Sequence, residues 1–129
     1  MERQNFSSGT PWEARAGYSR VVRVGPFVYV SGTTASDAAG QIQHQGDAHG
    51  QAVYIYQKID AALRQVGASL EDVVRTRVYV THSDHFEQTI TAHHSFFQNI
   101  RPANTLVEVS RLASPDMLVE IEVDAVIAE

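Results

Sequence analysis

Apolar and acidic residues alternate strictly in residues 119–125, whose sequence is VEIEVDA. Successive side chains of a β-strand point to opposite faces of the sheet, so this period of two predicts a strand with one core face and one polar face. The apolar members share the core face: Val119, Ile121, Val123 and Ala125. The acidic members share the other face: Glu120, Glu122 and Asp124. Their like charges require that this face meet water or neighbouring cations.

A second strand with the opposite charge is predicted in residues 73–81, VVRTRVYVT. The same alternation places Arg75, Arg77 and Tyr79 on one face. The other face carries valines: Val74, Val78 and Val80. Opposite charges across two strands contribute only about 0.2–1 kcal/mol each, which is too little to explain the fold. We interpret the shared polar face as a surface with a role of its own.

The composition is that of one globular domain, residues 1–129, since 43% of the residues are hydrophobic and 19% are charged. A formal net charge of −5 argues against nucleic acid as a partner, because phosphate binding needs clustered Lys and Arg. The absence of cysteine excludes disulfides, thiolate nucleophiles and cysteine metal ligands. Neither a signal-peptide core nor an apolar run of about 20 residues is present, which predicts a cytoplasmic protein without membrane contact.

The remaining pattern predicts further strands and two helices. Residues 21–24 and 27–31 form a hairpin about Gly25 and Pro26. An apolar stripe with helical spacing begins after residue 48 and ends near Gly67. Its members are Ala52, Ile55, Tyr56, Ile59, Leu63 and Val66.

A second helix follows the 73–81 strand. Asp84 and Glu87 resemble a capping box at its start, and Pro102 stops it. Its predicted apolar stripe consists of Phe86, Ile90, Phe97 and Ile100. Residues 104–109 and 118–127 are then two more strands.

This order of elements is typical of an α+β sandwich. Two helices cover only one face of such a sheet. The other face is then uncovered and carries Arg75, Arg77, Glu108, Glu120 and Glu122. Packing of this face against other copies of the chain in a closed ring would satisfy the charges and place pockets between subunits, so we expect a cyclic homo-oligomer.

Glu120 is the first candidate for chemistry. Partial burial would raise its pKa and let it exchange a proton near neutral pH. The alternative is that Glu120 and Glu122 only pair with Arg75 and Arg77. Tyr18 alone indicates packing, and Ser31 with Gly32 alone indicates only a strand end open to a ligand.

The histidines do not predict a metal site. His93 and His94 are adjacent, so on a helix their side chains diverge by about 100°. The spacing of His82 and His85 matches no known metal signature, and a solvated or core-edge role is favoured for all four.

Several motifs together resemble the RidA/YjgF family, in order and spacing, across nearly the whole chain. They are Gly17-Tyr18-Ser19, Val30-Ser31-Gly32-Thr33, Gly67 with Asp72-Val73-Val74, Arg77-Val78-Tyr79-Val80, Phe96-Phe97, Pro102-Ala103 and Val119-Glu120-Ile121-Glu122.

The resemblance implies a chorismate-mutase-like α+β fold, with a mixed sheet of about six strands and two helices on one face. It also implies a homotrimer with three small-molecule clefts between subunits. Members with the full site hydrolyse reactive enamines and imines without a cofactor. By position, Tyr18, Ser31, Gly32 and Glu120 match cleft residues, with Glu120 as the carboxylate that handles the attacking water.

This chain departs from the family pattern at two cleft positions. Asn104 stands where the deaminases have an arginine that binds the substrate carboxylate, and Leu106 stands where cysteine is frequent. We therefore expect an altered substrate, with Asn104 and Leu106 in the cleft. The alternative is a non-catalytic trimer that binds a metabolite as a sensor or scaffold. A holdase or nucleic-acid role is disfavoured by the acidic charge.

Overall fold

The computed structural model describes residues 1–128 and contains one six-stranded sheet. The strands are β1 (Arg3–Phe6), β2 (Val21–Val24), β3 (Phe27–Thr33), β4 (Val73–Val80), β5 (Ala103–Glu108) and β6 (Val119–Val126). Their order in the sheet is β1-β2-β3-β6-β4-β5. Only β4 and β5 pair in parallel; the other pairs are antiparallel. The mixed sheet confirms the predicted α+β fold.

Among residues 1–128, three α-helices accompany the sheet: α1 (Pro11–Ala16), α2 (Ala48–Gln65) and α3 (Phe86–Phe97). The side chain of Asp47 caps α2 by accepting a hydrogen bond from the N–H of Gly50. Gly67 follows the end of α2 with a left-handed φ of +85°, a conformation that favours glycine. Every member of the predicted α2 stripe is buried, as the helical spacing requires.

The hydrophobic core lies between one face of the sheet and the helices α2 and α3. The alternating valines and isoleucines of β6 are fully buried there, together with Tyr56 of α2 and Phe97 of α3. The rings of Tyr56 and Phe97 meet edge-on, with centroids 5.3 Å apart. Because α2 and α3 lie on this face, neither of these helices covers the opposite face within residues 1–128.

Two N-terminal elements, β1 and α1, were not predicted. Thr10, Pro11 and Glu13 fit a helix start, with a hydroxyl three residues before a glutamate and proline at the first helical position. The hydroxyl of Thr10 donates to the carboxylate of Glu13 at 2.8 Å. β1 adds to the sheet edge beside β2, where Arg3 pairs with Val24 and Phe6 with Val21.

Two assignments of residues to sheet faces were wrong. Val74 was predicted on the core face, but a register shift between Val73 and Arg75 buries Val73 and leaves Val74 47% exposed. Glu108 was predicted on the polar face with Arg75. Its register partner is the core residue Val80, so Glu108 lies on the helix side, where it accepts a hydrogen bond from the N–H of Ser83.

The start of α3 also differs from the prediction. No capping box forms at Asp84 and Glu87; instead a 3-10 turn, Ser83–His85, precedes the helix, and the imidazole of His82 accepts a hydrogen bond from the N–H of Asp84. Ile90 was predicted in the buried stripe but is 47% exposed. The expected strand 104–109 is β5, one residue earlier.

We call the uncovered side of the sheet the open face. Large apolar residues lie on it among the charges: Phe27, Tyr29 and Val107 are all more than one-third exposed. The neighbouring charged and polar side chains are Arg75, Arg77, Tyr79, Glu120, Glu122 and Asp124. Within residues 1–128, none of the helices is long and apolar enough to cross a membrane.

Candidate functional site

A bulge in β3 brings the backbone of Gly32 against the carboxylate of Glu120. β3 and β6 pair regularly up to Val30, and their register shifts before Thr33 pairs with Ile121. A Cβ atom built on Gly32 would overlap Oε2 of Glu120. Gly32 is therefore required here for close approach, since any larger residue would displace the carboxylate.

Arg20 fixes this bulge from the other side. Its Nη1 atom donates hydrogen bonds to the carbonyl of Gly32 at 2.7 Å and to the hydroxyl of Thr33 at 3.0 Å. Its guanidinium also lies 5.7 Å from the ring centroid of Tyr18. Arg20 thus joins the segment before β2 to the end of β3.

Glu13 anchors Arg20. Its carboxylate lies 3.7 Å from Nη2 of Arg20; the side chain of Glu13 is 1% exposed and that of Arg20 is 13% exposed. Burial alone would raise the pKa of Glu13, but hydrogen bonds from Ser8, Thr10 and Ser7 outweigh it and lower the pKa to about 2. Glu13 is therefore a buried anion with satisfied oxygens, paired with a buried cation.

Glu120 has the electrostatics of a proton-exchanging carboxyl. Burial raises its pKa, the positive charge of Arg20 partly opposes this, and the negative charge of Glu122 adds to it. Such a carboxyl can take a proton from water and return it to a leaving group. We call Glu13, Arg20, Gly32 and Glu120 the Glu120 corner.

The neighbouring acidic residues on β6 have a different role. Arg77 of β4 lies 3.2 Å from Asp124 and 3.9 Å from Glu122, and the hydroxyl of Tyr79 donates to Glu122. The charge-pairing interpretation therefore applies to Glu122. Within residues 1–128, Glu120 makes no ion pair closer than 4.0 Å.

Ser31 and Tyr18 lie beside the Glu120 corner. The hydroxyl of Ser31 donates to the carbonyl of Ser19 at 2.6 Å, which links the end of β3 to the segment before β2. Tyr18 is 40% exposed and stacks near Arg20 instead of packing in the core. The chain therefore brings together four of the predicted residues: Tyr18, Ser31, Gly32 and Glu120.

Asn104 and Leu106 do not join that group within one chain. They pair with the core residues Thr76 and Val78 of β4, so they lie on the helix side of the sheet, whereas Glu120 lies on the open face. The Oδ1 atom of Asn104 accepts a hydrogen bond from the hydroxyl of Thr76 at 2.8 Å. The same hydroxyl lies 2.8 Å from Nε2 of His93. We call His93, Thr76 and Asn104 the Asn104 edge.

A small cavity of about 70 Å³ adjoins the Asn104 edge. Its walls are Val78, Thr89, Ile90, His93, Asn104 and Leu106. His93 is thus a core-edge residue, as expected. Among residues 1–128, no three His, Asp or Glu residues are grouped so that they could hold a metal ion.

A larger cavity, about 340 Å³, lies on the helix side of Arg20 rather than at Glu120. Arg20 and Lys58 contribute its cations. Burial, with repulsion from Arg20, lowers the pKa of Lys58 to about 8. The Nζ atom of Lys58 donates to the carbonyls of Thr34 and Ser36, both at 2.8 Å, so this lysine secures the loop after β3.

Sequence reasoning missed Glu13, Arg20 and Thr76. The spacing of Thr10 and Glu13 was a readable signal for α1 and its glutamate. No local pattern marks Arg20 or Thr76, because their roles depend on the bulge in β3 and on the parallel pairing of β4 with β5.

Comparison with known proteins agrees with this architecture. The family model described as Endoribonuclease L-PSP matches residues 9–127. The crystal structure of Rv2704 from Mycobacterium tuberculosis, a member of the YjgF/YER057c/UK114 family, superposes with a TM-score of 0.89 at 43% identity, covering 98% of this chain and 100% of that one.

Two curated relatives carry names from the same group. A RutC family protein of Pyrococcus abyssi is 37% identical over 106 residues, covering 81% of this chain and 82% of the relative. The 3-aminoacrylate deaminase RutC of Acinetobacter baylyi is 31% identical over 113 residues, covering 88% of each. The chain is thus an α+β protein of the RidA/YjgF type. It belongs to the Endoribonuclease L-PSP family, which is the YjgF family of the sequence analysis.

Proposed function

We propose that the chain forms a homotrimer through its open face. Phe27 and Tyr29 are 42% and 50% exposed there beside paired charges, and large apolar side chains in such a cluster mark an interaction surface. A closed ring of three copies would bury this face on every subunit.

In this assembly each ligand cleft takes the Glu120 corner from one subunit and the Asn104 edge from the next. The support is the register of the sheet, which puts Asn104 and Glu120 on opposite faces of one chain. Only a second chain could supply both to one cleft.

The proposed reaction is hydrolysis of an enamine or imine to a carbonyl compound and ammonia. The enamine takes a proton from solvent at carbon to become an iminium ion, and water adds to the C=N carbon. As the C–N bond breaks and ammonia leaves, the hydroxyl of the adduct becomes the carbonyl and returns its proton to solvent. Glu120 would accept a proton from the water and return one to the departing nitrogen. The observation that carries this proposal concerns the carboxylate of Glu120, which lies against the backbone of Gly32 without an ion pair among residues 1–128 and has a raised pKa. The similarity to the 3-aminoacrylate deaminase RutC adds support.

Asn104 would change the choice of substrate. A charge-assisted pair between arginine and a carboxylate is about twice as strong as a neutral hydrogen bond, and Asn104 can offer only the neutral kind. The substrate would then be smaller or less charged than a 2-imino acid. The acidic charge of the chain opposes RNA binding, so we do not extend the endoribonuclease of the family description to it.

Ammonia release from freshly generated 2-aminoacrylate and 3-aminoacrylate tests this proposal. The variants are Glu120→Gln and Asn104→Arg, and Glu122→Gln is the matched control because it alters the next carboxylate on the same face of β6. We expect Glu120→Gln to lower the rate at least about 100-fold, as for loss of a general base, while Glu122→Gln retains most activity. Asn104→Arg should speed turnover of both substrates, because each carries a carboxylate.

The outcomes separate enzyme from binding protein. If wild type fails on these substrates and Asn104→Arg succeeds, the site is catalytic and its native ligand differs. If neither accelerates ammonia release, catalysis is contradicted and the chain is a metabolite-binding sensor or scaffold.

A further inference from the structure

The hydrogen bonds of the Asn104 edge determine where its protons lie. Thr76 is fully buried and has one hydroxyl proton, which it donates to Oδ1 of Asn104 at 2.8 Å. Its hydroxyl oxygen must then accept from His93, whose Nε2 lies 2.8 Å away. His93 therefore carries a proton on Nε2, and the Nδ2 group of Asn104 keeps its two N–H donors for another partner.

Aromatic packing holds His93 in this orientation. The ring of His93 lies 4.7 Å from the centroid of Phe97 and 6.0 Å from that of Tyr56. Burial and the neighbouring charge of His94 lower the pKa of His93, which favours its uncharged form. The chain of hydrogen bonds from His93 to Asn104 is therefore electrically neutral.

The lining of the cavity beside Asn104 is also uncharged, like the chain of hydrogen bonds from His93 to Asn104. Val78, Ile90 and Leu106 form apolar walls, and no Lys or Arg is among its lining residues within residues 1–128. Its volume of about 70 Å³ is several times the roughly 10–15 Å³ that a cavity needs to hold one water molecule, so a group of a few heavy atoms can enter it. A short alkyl or vinyl group with one polar end fits this space.

We propose that His93 and Thr76 are positioning residues that hold the Asn104 amide with its Nδ2 donors toward the ligand, so that this subsite binds the carbonyl oxygen of a small uncharged compound. The compound would be an amide, aldehyde or ketone. The ligand class rests on the proposed function, because the proposed function is what assigns the Asn104 edge to the ligand cleft.

A carboxylate binds poorly at such a subsite for a physical reason. Removing an anion from water is costly unless a charged or multiply bonded partner compensates it. The amide of Asn104 supplies neutral donors, the apolar walls supply none, and the hydroxyl of Thr89 already donates to backbone carbonyls of α3 and the turn before it. An uncharged carbonyl loses far less hydration and needs only these donors.

The first test measures the hydrogen bonds without any ligand. Long-range ¹H–¹⁵N NMR of wild type should show His93 protonated at Nε2 and bare at Nδ1. Thr76→Ser keeps the hydroxyl and should retain this tautomer and the wild-type shifts of the Asn104 side-chain amide, whereas Thr76→Val should change both. Thr105→Val is the matched control, since Thr105 is next to Asn104 but faces the other side of β5, and it should change neither.

The second test measures the ligand class with propionamide and propionate, which have the same number of heavy atoms. We expect propionamide to shift the Asn104 amide signals and to bind wild type at least about tenfold more tightly than propionate, about the effect of one hydrogen bond plus the anion's lost hydration. Asn104→Arg should reverse this preference. Thr76→Val should abolish the preference, and Thr76→Ser should restore it.

Each test can overturn its own part of the proposal independently of the other. His93 protonated at Nδ1 alone would overturn the positioning role, whatever binds. Equal or tighter binding of propionate by wild type, or no binding of either probe, would overturn the ligand class. The ammonia assay on Glu120 decides the proposed function independently, because it does not depend on the tautomer of His93.

Discussion

The Glu120 corner and the Asn104 edge are held in opposite ways. The corner uses charge: a buried carboxylate, Glu13, fixes a buried cation, Arg20, which in turn fixes the backbone beside Glu120. The edge uses neutral hydrogen bonds through Thr76, supported by aromatic packing around His93. In the function that we propose, the corner moves protons and the edge recognises an uncharged group.

The largest predicted effect comes from removing the anchor of the charged corner. Glu13→Ala leaves Arg20 buried without its partner and should lower the free energy of unfolding by about 3–5 kcal/mol at pH 7, measured by urea denaturation. Glu71→Ala, at an exposed position, is the control and should change little. An effect below about 1 kcal/mol would contradict the importance of the buried pair.

The hydrogen bonds that Glu13 accepts from Ser8, Thr10 and Ser7 predict a pH dependence. Folding lowers the pKa of Glu13 to about 2 from an ordinary value of 4.5. Its ionised form therefore stabilises the fold fully above pH 4.5, and this contribution is lost as the pH falls toward about 2. The stability difference between wild type and Glu13→Ala should shrink over that interval, and a difference that stays constant would contradict the assigned cause.

The second-largest effect is expected from a substitution at Gly32 in the Glu120 corner. Gly32→Ala places a methyl group where the Glu120 carboxylate lies, and we expect a loss of about 1–2 kcal/mol, because the flexible end of Glu120 can move away. Once displaced into solvent, Glu120 should titrate at a lower pKa, observable by ¹³C NMR of its carboxyl. Ser31→Ala, in the same bulge, should leave that titration unchanged.

A smaller effect on stability, of opposite sign, is expected at Tyr56, which packs against His93 of the Asn104 edge. The hydroxyl of Tyr56 is buried and has no hydrogen-bond partner among residues 1–128. Tyr56→Phe removes this unsatisfied group and should be neutral or stabilising by up to about 1 kcal/mol in thermal unfolding. Destabilisation would show that the hydroxyl has a partner in the assembled protein.

The smallest predicted effect concerns the charge of Glu120. Because folding raises its pKa, the ionised carboxyl destabilises the fold, and this cost grows as the pH rises from the unfolded value through the folded one. Glu120→Gln should be slightly more stable than wild type at pH 7, and equally stable below pH 4. A reversed pH trend would contradict the burial of Glu120.

Local sequence pattern predicted the elements better than the site. The alternation in β6 and the stripe of α2 lie where expected, because burial enforces both periods. Alternation also showed that Asn104, Leu106 and Glu108 share a face of β5. It could not show which face, because that depends on the parallel register with β4, a contact distant in sequence.

The Glu120 corner shows the same limit. The position of Glu120 on β6 was predictable from its neighbours. The contact of Glu120 with Gly32 depends on a bulge in another strand. Its pKa depends in part on the positive charge of Arg20, which is far away along the chain. Of the two corner residues that were missed, Glu13 and Arg20, only Glu13 had a local signal, through its spacing from Thr10.

The proposed clefts require the open face to be buried between chains, and sedimentation equilibrium of wild type and Tyr29→Glu tests this most directly. Wild type should sediment at about 43 kDa, three times the 14.2 kDa of one chain, and Tyr29→Glu, which adds a charge to the open face, should sediment as a folded monomer. Gln57→Glu, which adds the same charge to an exposed position of α2, should remain a trimer. A monomeric wild type, or a trimer unaffected by Tyr29→Glu, would contradict the account.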